Sequence, residues 1–140
     1  MPFFKFLLVV LWGNILYICM GENAKIREIR FYGLYFQDFF EGLSFTAKSK
    51  IIWTLRLVEE LPRIPETYLK HLESNHGLYE IRVQTSGIAI RLFCFFDQGQ
   101  IIIVTHGFIK KTQKTPRREI EKAIEIKRRY EIEKKINRIP

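Results

Sequence analysis

The stretch L-Y-E-I-R-V-Q-T-S-G-I-A-I-R-L-F-C-F-F-D-Q-G-Q-I-I-I-V-T-H, residues 78–106, decides the fold. It contains three runs that are rich in β-branched and aromatic residues, which predict three strands. These runs are residues 78–83, 88–96 and 100–106. The short segments T-S-G and D-Q-G separate them and are typical of tight turns. Strands joined by tight turns pair antiparallel, so this stretch predicts a β-meander.

Upstream of the meander the pattern changes from strands to helices. Residues 25–32, K-I-R-E-I-R-F-Y, favour a first strand. Apolar residues then recur at helical spacing in residues 35–43 and again in residues 47–61, where Pro62 and Pro65 end the pattern. A short break separates the two segments, which predicts a helical hairpin.

Downstream of the meander, residues 107–115 form a predicted basic loop. Thr115 and Pro116 then suit the N-cap and the first position of a helix that extends to about Lys135. The predicted order is β-α-α-β-β-β-α, an α+β fold. Its most economical packing is one curved antiparallel sheet with the N-terminal helical hairpin on one face and a C-terminal helix, which leaves a concave basic surface on the other face.

Composition narrows the classes of function. With 140 residues and 47% hydrophobic residues, the chain is long and apolar enough for one domain with one core. A formal charge of +8 favours nucleic acid, an anionic membrane or an acidic protein as partner. The sequence has no Gly-rich phosphate loop, H-E-x-x-H, G-x-S-x-G or Cys/His cluster, so we expect no metal and no cofactor. Cys19 and Cys94 are expected to be reduced thiols of a cytoplasmic protein.

The apolar N-terminal segment, residues 1–19, is a separate question from the domain predicted at residues 20–140. Translation that starts at Met20 would make this segment an over-extended reading frame. A membrane anchor and a secretory signal are the alternatives, and a membrane is a partner only if the anchor is real. The segment falls just short of the ~20 apolar residues of a spanning helix. It also has one lysine and a poor cleavage context for a signal.

Three motifs carry a resemblance to a known family. They are G-L-Y-E-I-R-V at 77–83, I-R-L-F-C-F-F at 90–96 and H-G-F-I-K-K-T-Q-K-T-P at 106–116. Together they resemble the phage-derived HigB-like toxins of the RelE/ParE superfamily, over roughly residues 25–135. The resemblance implies a RelE-like fold and the toxin of a type II toxin–antitoxin system. It also implies ribosome-dependent cleavage of mRNA without a metal, which inhibits translation, and a helix-turn-helix (HigA-like) antitoxin as partner.

The same resemblance supplies candidate site residues. It matches Arg82 and Arg91 to basic strand residues of the family site, and Lys110 and Lys111 to the basic residues after the last strand. One departure is Glu80, which stands where ribosome-dependent RelE relatives usually have a second basic residue. A C-terminal counterpart of the RelE tyrosine is not evident.

Metal-independent RNA cleavage gives these residues their expected roles. The 2′-hydroxyl of the substrate attacks the adjacent phosphorus, so the site must bind phosphoryl oxygens and move two protons. Arg82 and Arg91 are predicted to clamp phosphate, because a planar guanidinium pairs two oxygens at once. His106 or Lys110 is predicted to transfer a proton. Three further lysines are expected to bind RNA, namely Lys70, Lys111 and Lys114.

Other interpretations of the same residues stay open. His106 also suits an ordinary hydrogen-bonded residue at a strand end, and Glu80 with Arg82 suits a surface ion pair. Lys110 and Lys111 also suit a solvated loop with general affinity for phosphate. A ParE-like inhibitor of DNA gyrase or an inactive RNA-binding relative would share the fold without the cleavage chemistry.

Overall fold

The structure, a computed structural model, describes residues 9–11, 14–16, 25–73 and 76–137. The elements in chain order are β1 (Val9–Leu11), β2 (Asn14–Leu16), β3 (Glu28–Phe31), α1 (Tyr35–Glu41), α2 (Phe45–Glu60), β4 (Leu69–His71), β5 (Leu78–Thr85), β6 (Ile88–Asp97), β7 (Ile101–Lys110) and α3 (Arg117–Asn137). No helix within these ranges is long and apolar enough to span a membrane. The expectations for residues 1–19 lie outside the described residues, apart from β1 and β2, which pair antiparallel.

Strands β3 to β7 form one mixed sheet in the order β3-β7-β6-β5-β4. The predicted meander is confirmed as β5, β6 and β7. The prediction of a wholly antiparallel sheet is wrong, because β3 pairs parallel with β7, with Glu28 opposite Ile101. The prediction that residues 62–77 are only a connection is also wrong, since β4 lies within them and pairs with β5. The observed fold is therefore α+β, with five strands in this sheet.

Strand β3 is held beside the end of α2 by side-chain contacts. The guanidinium of Arg27 donates hydrogen bonds to the carbonyl oxygens of Val58 and Leu61, at 3.1 and 2.6 Å. Val58 lies in the last turn of α2 and Leu61 is its C-cap residue, and carbonyls at a helix end have no partner within the helix. The buried carboxylate of Glu59 accepts a hydrogen bond from the amide of Ile29 at 3.2 Å. One end of the helical hairpin is thereby tied to the edge of the sheet.

The sheet separates two packed layers. On the hairpin face, apolar residues of α1 and α2 pack on alternate residues of β5, β6 and β7. On the opposite face, here called the α3 face, Ala123 and Ile126 of α3 are buried against the sheet. The core of this second layer is Leu78, Phe93, Phe95, Ile103, Phe108 and Ala123. The face expected to be open and basic is therefore partly covered by the C-terminal helix.

Strand β7 contains a β-bulge and continues past its predicted end at His106 to Lys110. Leu92 lies opposite Gly107, and Cys94 lies opposite Val104, so that two residues of β7 face the single residue between Leu92 and Cys94. Such a bulge shifts the alternation of side chains by one residue. The part of β7 that was expected to be a loop is therefore an ordered strand with a defined orientation.

Candidate functional site

Two arginines lie side by side on the α3 face. Arg82 of β5 is directly opposite Arg91 of β6 in the strand register. The tight turn between the strands sets this register, because it pairs Thr85 with Ile88. Three residues further from the turn on each strand, Arg82 pairs with Arg91. Like charges directly opposite one another destabilise a sheet, so the pair needs a neutralising group.

That group is the carboxylate of Glu80. Its Oε1 lies 3.6 Å from Nε of Arg82 and 3.7 Å from Nε of Arg91. Glu80 is 3% exposed and Arg91 is 7% exposed, whereas the side chain of Arg82 is 31% exposed. Two guanidiniums and one carboxylate leave a net charge of +1 in a place largely shielded from water. Glu80, the residue noted above as a departure from the family pattern, thus forms an ion pair with both arginines.

The two Nε atoms face the carboxylate of Glu80 at slightly more than hydrogen-bond distance. Nε of Arg82 and Nε of Arg91 are buried and form no hydrogen bond in the described part of the chain. Nη1 of Arg91 donates to the carbonyl of Ile90 at 3.0 Å. Burial lowers the pKa of Arg91 from its ordinary value, and the charge of Arg82 lowers it further. A buried donor without a full hydrogen bond is unfavourable, and the ion pair with Glu80 offsets part of that cost. A phosphate oxygen is the kind of partner that would complete the hydrogen bonding.

His106, the other predicted proton-transfer candidate, lies on the same face and is covered. It is 1% exposed, and its Nε2 lies 2.8 Å from Oε2 of Glu119 in the first turn of α3. Its Nδ1 lies 3.3 Å from Oγ1 of Thr105, and its ring packs against Phe93. Burial lowers the pKa of His106, and the hydrogen bond with Glu119 opposes that shift. In this conformation the imidazole bridges the sheet and α3 and does not meet solvent.

The predicted lysines lie around the arginine pair. Lys110 is half-buried and lies opposite Ala89, which places it on the α3 face beyond Arg91. Lys70 is exposed on the edge strand β4, opposite Glu80. Lys111 and Lys114 are exposed in the loop between β7 and α3. The strand register thus puts Lys110 and Lys70 on the face of the arginines, and the other two lysines follow at the end of β7.

Two residues of this site were missed from the sequence. Glu119 contacts His106, and the hydroxyl of Thr115 lies 3.5 Å from Oε2 of Glu80. The signal that was present is the helix start at Thr115 and Pro116, which places Glu119 in the first helical turn. The sequence pattern did not indicate that this first turn of α3 packs on the sheet beside His106.

The described residues do not include a group of three or more His, Cys, Asp or Glu side chains that could hold a metal ion. Cys94 is a free, buried thiol on the hairpin side of the sheet, and burial raises its pKa. A thiol in that state is a poor nucleophile. The chemistry available on the α3 face therefore comes from guanidinium, ammonium, carboxylate and imidazole groups.

Comparison with known proteins places the chain in a family. The profile of the family described as Phage derived protein Gp49-like (DUF891) matches residues 38–128, which is more than half of the chain. That range contains the arginine pair, Glu80, His106, Glu119 and the four lysines. None of the curated proteins matches this chain. The chain therefore belongs to the Gp49-like family of phage-derived proteins, a toxin family of the RelE/ParE-like superfamily.

Proposed function

We propose that this protein is a HigB-type toxin that cleaves mRNA on the ribosome without a metal and so inhibits translation. The observation that carries the proposal is the pair of adjacent arginines, Arg82 and Arg91, whose two charges are offset only in part by the one carboxylate of Glu80. Adjacent guanidiniums with excess positive charge match the oxygens of a phosphodiester better than any neutral ligand. A target on the ribosome would place the activity in the cytoplasm.

The reaction that suits such a site is an internal phosphoryl transfer within RNA. The 2′-oxygen forms a bond to the adjacent phosphorus as the bond from phosphorus to the 5′-oxygen breaks. The proton of the 2′-hydroxyl leaves to a base, and the 5′-oxygen gains a proton. The products are a 2′,3′-cyclic phosphate and a 5′-hydroxyl. Arg82 and Arg91 would stabilise the charge that develops on the phosphoryl oxygens.

Burial favours one of the two candidates for proton transfer. Lys110 is partly open to solvent on the face of the arginines, whereas His106 is covered by α3. We assign protonation of the 5′-oxygen to Lys110. The two bases that the sheet contributes here, Glu80 and His106, are both buried, so the proton of the 2′-hydroxyl is expected to pass to water or to the ribosome. This gives a physical reason to expect that cleavage depends on the ribosome.

The surrounding lysines extend the proposed contact with RNA. Lys70, Lys111 and Lys114 are exposed, and phosphate contacts from such lysines provide affinity that salt weakens. Membership of a toxin family implies an antitoxin partner. We propose that this antitoxin is a HigA-like protein with a helix-turn-helix domain.

The test is in vitro translation with the purified full chain, with mRNA 5′ ends mapped by primer extension with and without ribosomes. We expect cuts within codons only on translating ribosomes. Arg91→Lys keeps the charge but loses the planar fork, and should reduce cleavage by about 10²-fold or more. Arg128→Lys, on an exposed arginine of α3, is the matched control and should cleave normally. Intact mRNA together with normal protein synthesis would overturn the proposal.

A second candidate function is supported by the burial of His106 and by the carboxylate between the arginines. Both features reduce the groups available for cleavage and suit a ParE-like toxin that inhibits DNA gyrase through protein contacts. A supercoiling assay tests this candidate. Gyrase inhibition that persists in Arg91→Lys, with mRNA left intact, would favour it over the nuclease.

A further inference from the structure

An exposed tryptophan lies on α2, on the hairpin side of the sheet, whereas the arginine pair lies on the α3 face. Trp53 of α2 is 40% exposed, although its helix buries most of its other apolar side chains. Its ring lies 5.9 Å from the ring of Tyr68, centroid to centroid, at an interplanar angle of 74°. Nζ of Lys50 lies 3.9 Å from the centroid of the Trp53 ring. These three side chains, here called the Trp53 cluster, combine open aromatic surface with a cation.

The Trp53 cluster adjoins the arginine pair through the backbone. The carbonyl of Tyr68 accepts a hydrogen bond from the amide of Arg82 at 2.8 Å. Tyr68 is therefore the neighbour of Arg82 across the edge of the sheet, and Trp53 contacts Tyr68. Lys70 and His71 follow on β4 and are both exposed. A chain of basic and aromatic residues thus leads from the buried guanidiniums, around the edge strand, to α2.

We propose that the Trp53 cluster is a base-stacking subsite for a nucleotide of the same RNA strand whose phosphate Arg82 and Arg91 bind, reached around the edge strand β4. The inference rests on the proposed function and adds to it where the flanking base is held. Aromatic rings beside cations are the common means of binding single-stranded nucleic acid, because every base has a flat face that can stack. The subsite therefore accepts any base, and selects a single strand over a paired one.

Lys50 has a specific part in this subsite. In the free protein its ammonium rests on the Trp53 ring, which is a favourable cation–π contact. The lysine side chain is flexible, and a phosphate is a charged partner for its ammonium. When a base stacks on Trp53, Lys50 exchanges the ring for the phosphate of that nucleotide. One partly exposed lysine thereby shields part of the ring in the absence of RNA.

Fluorescence tests the stacking directly. The chain has two tryptophans, so the Trp12→Phe variant leaves Trp53 as the single indole. The probe is a fluorescein-labelled 2′-O-methyl oligoribonucleotide, which lacks the hydroxyl needed for cleavage. Anisotropy of the label reports binding, and quenching of Trp53 reports stacking. We expect both signals with the intact probe, and binding with little quenching when the probe carries abasic nucleotides.

Substitutions supply a second readout that does not depend on the fluorescence of Trp53. Trp53→Leu should weaken binding of the probe by between about 5-fold and about 100-fold, the range expected for one stacked base. Trp53→Tyr should retain most of the affinity. Phe45→Leu is the matched control, because Phe45 is 70% exposed at the start of the same helix and lies outside the Trp53 cluster. Its affinity should equal that of the wild type.

The outcomes separate the two proposals. Binding by anisotropy without quenching, together with unchanged affinity in Trp53→Leu, would overturn the subsite and leave RNA binding intact. No binding of any probe would overturn the subsite alone, because the proposed cleavage on the ribosome is decided separately by the primer-extension test. Quenching of Trp53 by a purified antitoxin but not by the probe would assign the Trp53 cluster to a protein partner and overturn the subsite.

Discussion

Glu119 Oε2 lies 2.8 Å from His106 Nε2, and this contact joins the first turn of α3 to the bulge of β7. Helix α3 has 21 residues but only Ala123 and Ile126 are fully buried. Ile120, Ile124 and Tyr130 pack on the same layer as partly buried side chains, and the contact with a buried imidazole adds a polar anchor at the N-terminal end of the helix.

Acidification should destabilise the protein through His106. Burial holds the pKa of His106 below its ordinary value of 6.5 in the folded state, so below pH 6.5 the unfolded chain binds more protons than the native protein. The free energy of unfolding should therefore fall as the pH drops below 6.5 and be fully present above it. Urea unfolding at about pH 7.5 and about pH 5.5 measures this difference.

The control for this prediction is a second histidine. His106→Gln should show a smaller loss of stability on acidification than the wild type. His71→Gln, at an exposed position of β4, should keep the wild-type dependence on pH. Equal pH dependence in His106→Gln and the wild type would show that His106 does not couple folding to pH.

Glu80→Gln should change stability and anion binding in opposite directions. Loss of the carboxylate leaves Arg82 and Arg91 facing each other without a counter-charge. The free energy of unfolding should fall by about 2 kcal/mol, less than for a fully buried pair because Arg82 is partly exposed. Inorganic phosphate should then stabilise the variant more than it stabilises the wild type. Chemical unfolding with and without phosphate measures both effects, and Glu121→Gln, at an exposed position of α3, should show neither.

Gly107→Ala should be destabilising because the strand passes close to α1. A Cβ at this position would lie 2.5 Å from Cδ1 of Phe39 and 2.7 Å from Cδ2 of Leu92. Overpacking of this kind costs about 1–3 kcal/mol. Phe39→Leu in the same chain should recover part of that loss, as a double-mutant cycle by urea unfolding would show. Gly42→Ala meets only a backbone oxygen at 3.8 Å, so its stability should stay near that of the wild type.

Ser44→Ala should weaken the start of α2. The hydroxyl of Ser44 accepts a hydrogen bond from the amide of Ala47 at 3.2 Å and caps the helix. Loss of this cap should lower the free energy of unfolding by about 1 kcal/mol. Ser49→Ala, inside the same helix, is the matched control and should not be destabilising, since alanine is the better helix former. A loss of the same size in both variants would mean that the cap contributes nothing.

The arginine pair was predictable because its cause is local. A tight turn at Ser86 and Gly87 sets the register of β5 on β6, and both bounding strands have a clear β pattern. Counting outward from Thr85 and Ile88 places Arg82 opposite Arg91. Short-range physics therefore determines this part of the site, together with the two helices and the meander.

Pairings over long separations could not be predicted in the same way. Strand β3 lies beside β7, far along the chain, and no local pattern in Glu28–Phe31 specifies a parallel partner. Strand β4 has three residues, too few for a periodic signal. The burial of His106 depends on where α3 docks, so a residue expected at an open site is in fact enclosed.

The bulge gives β7 one residue more than regular pairing with β6 would need. With regular pairing throughout, Lys110 would point towards the helical hairpin and Ile109 towards the arginines; the extra residue opposite Phe93 reverses this. A deletion of one codon at Thr105 would remove the bulge and leave the downstream alternation unchanged. The lysine beside the arginine pair would then keep its side of the sheet, so the bulge is what allows one extra residue before Lys110 without moving that side chain.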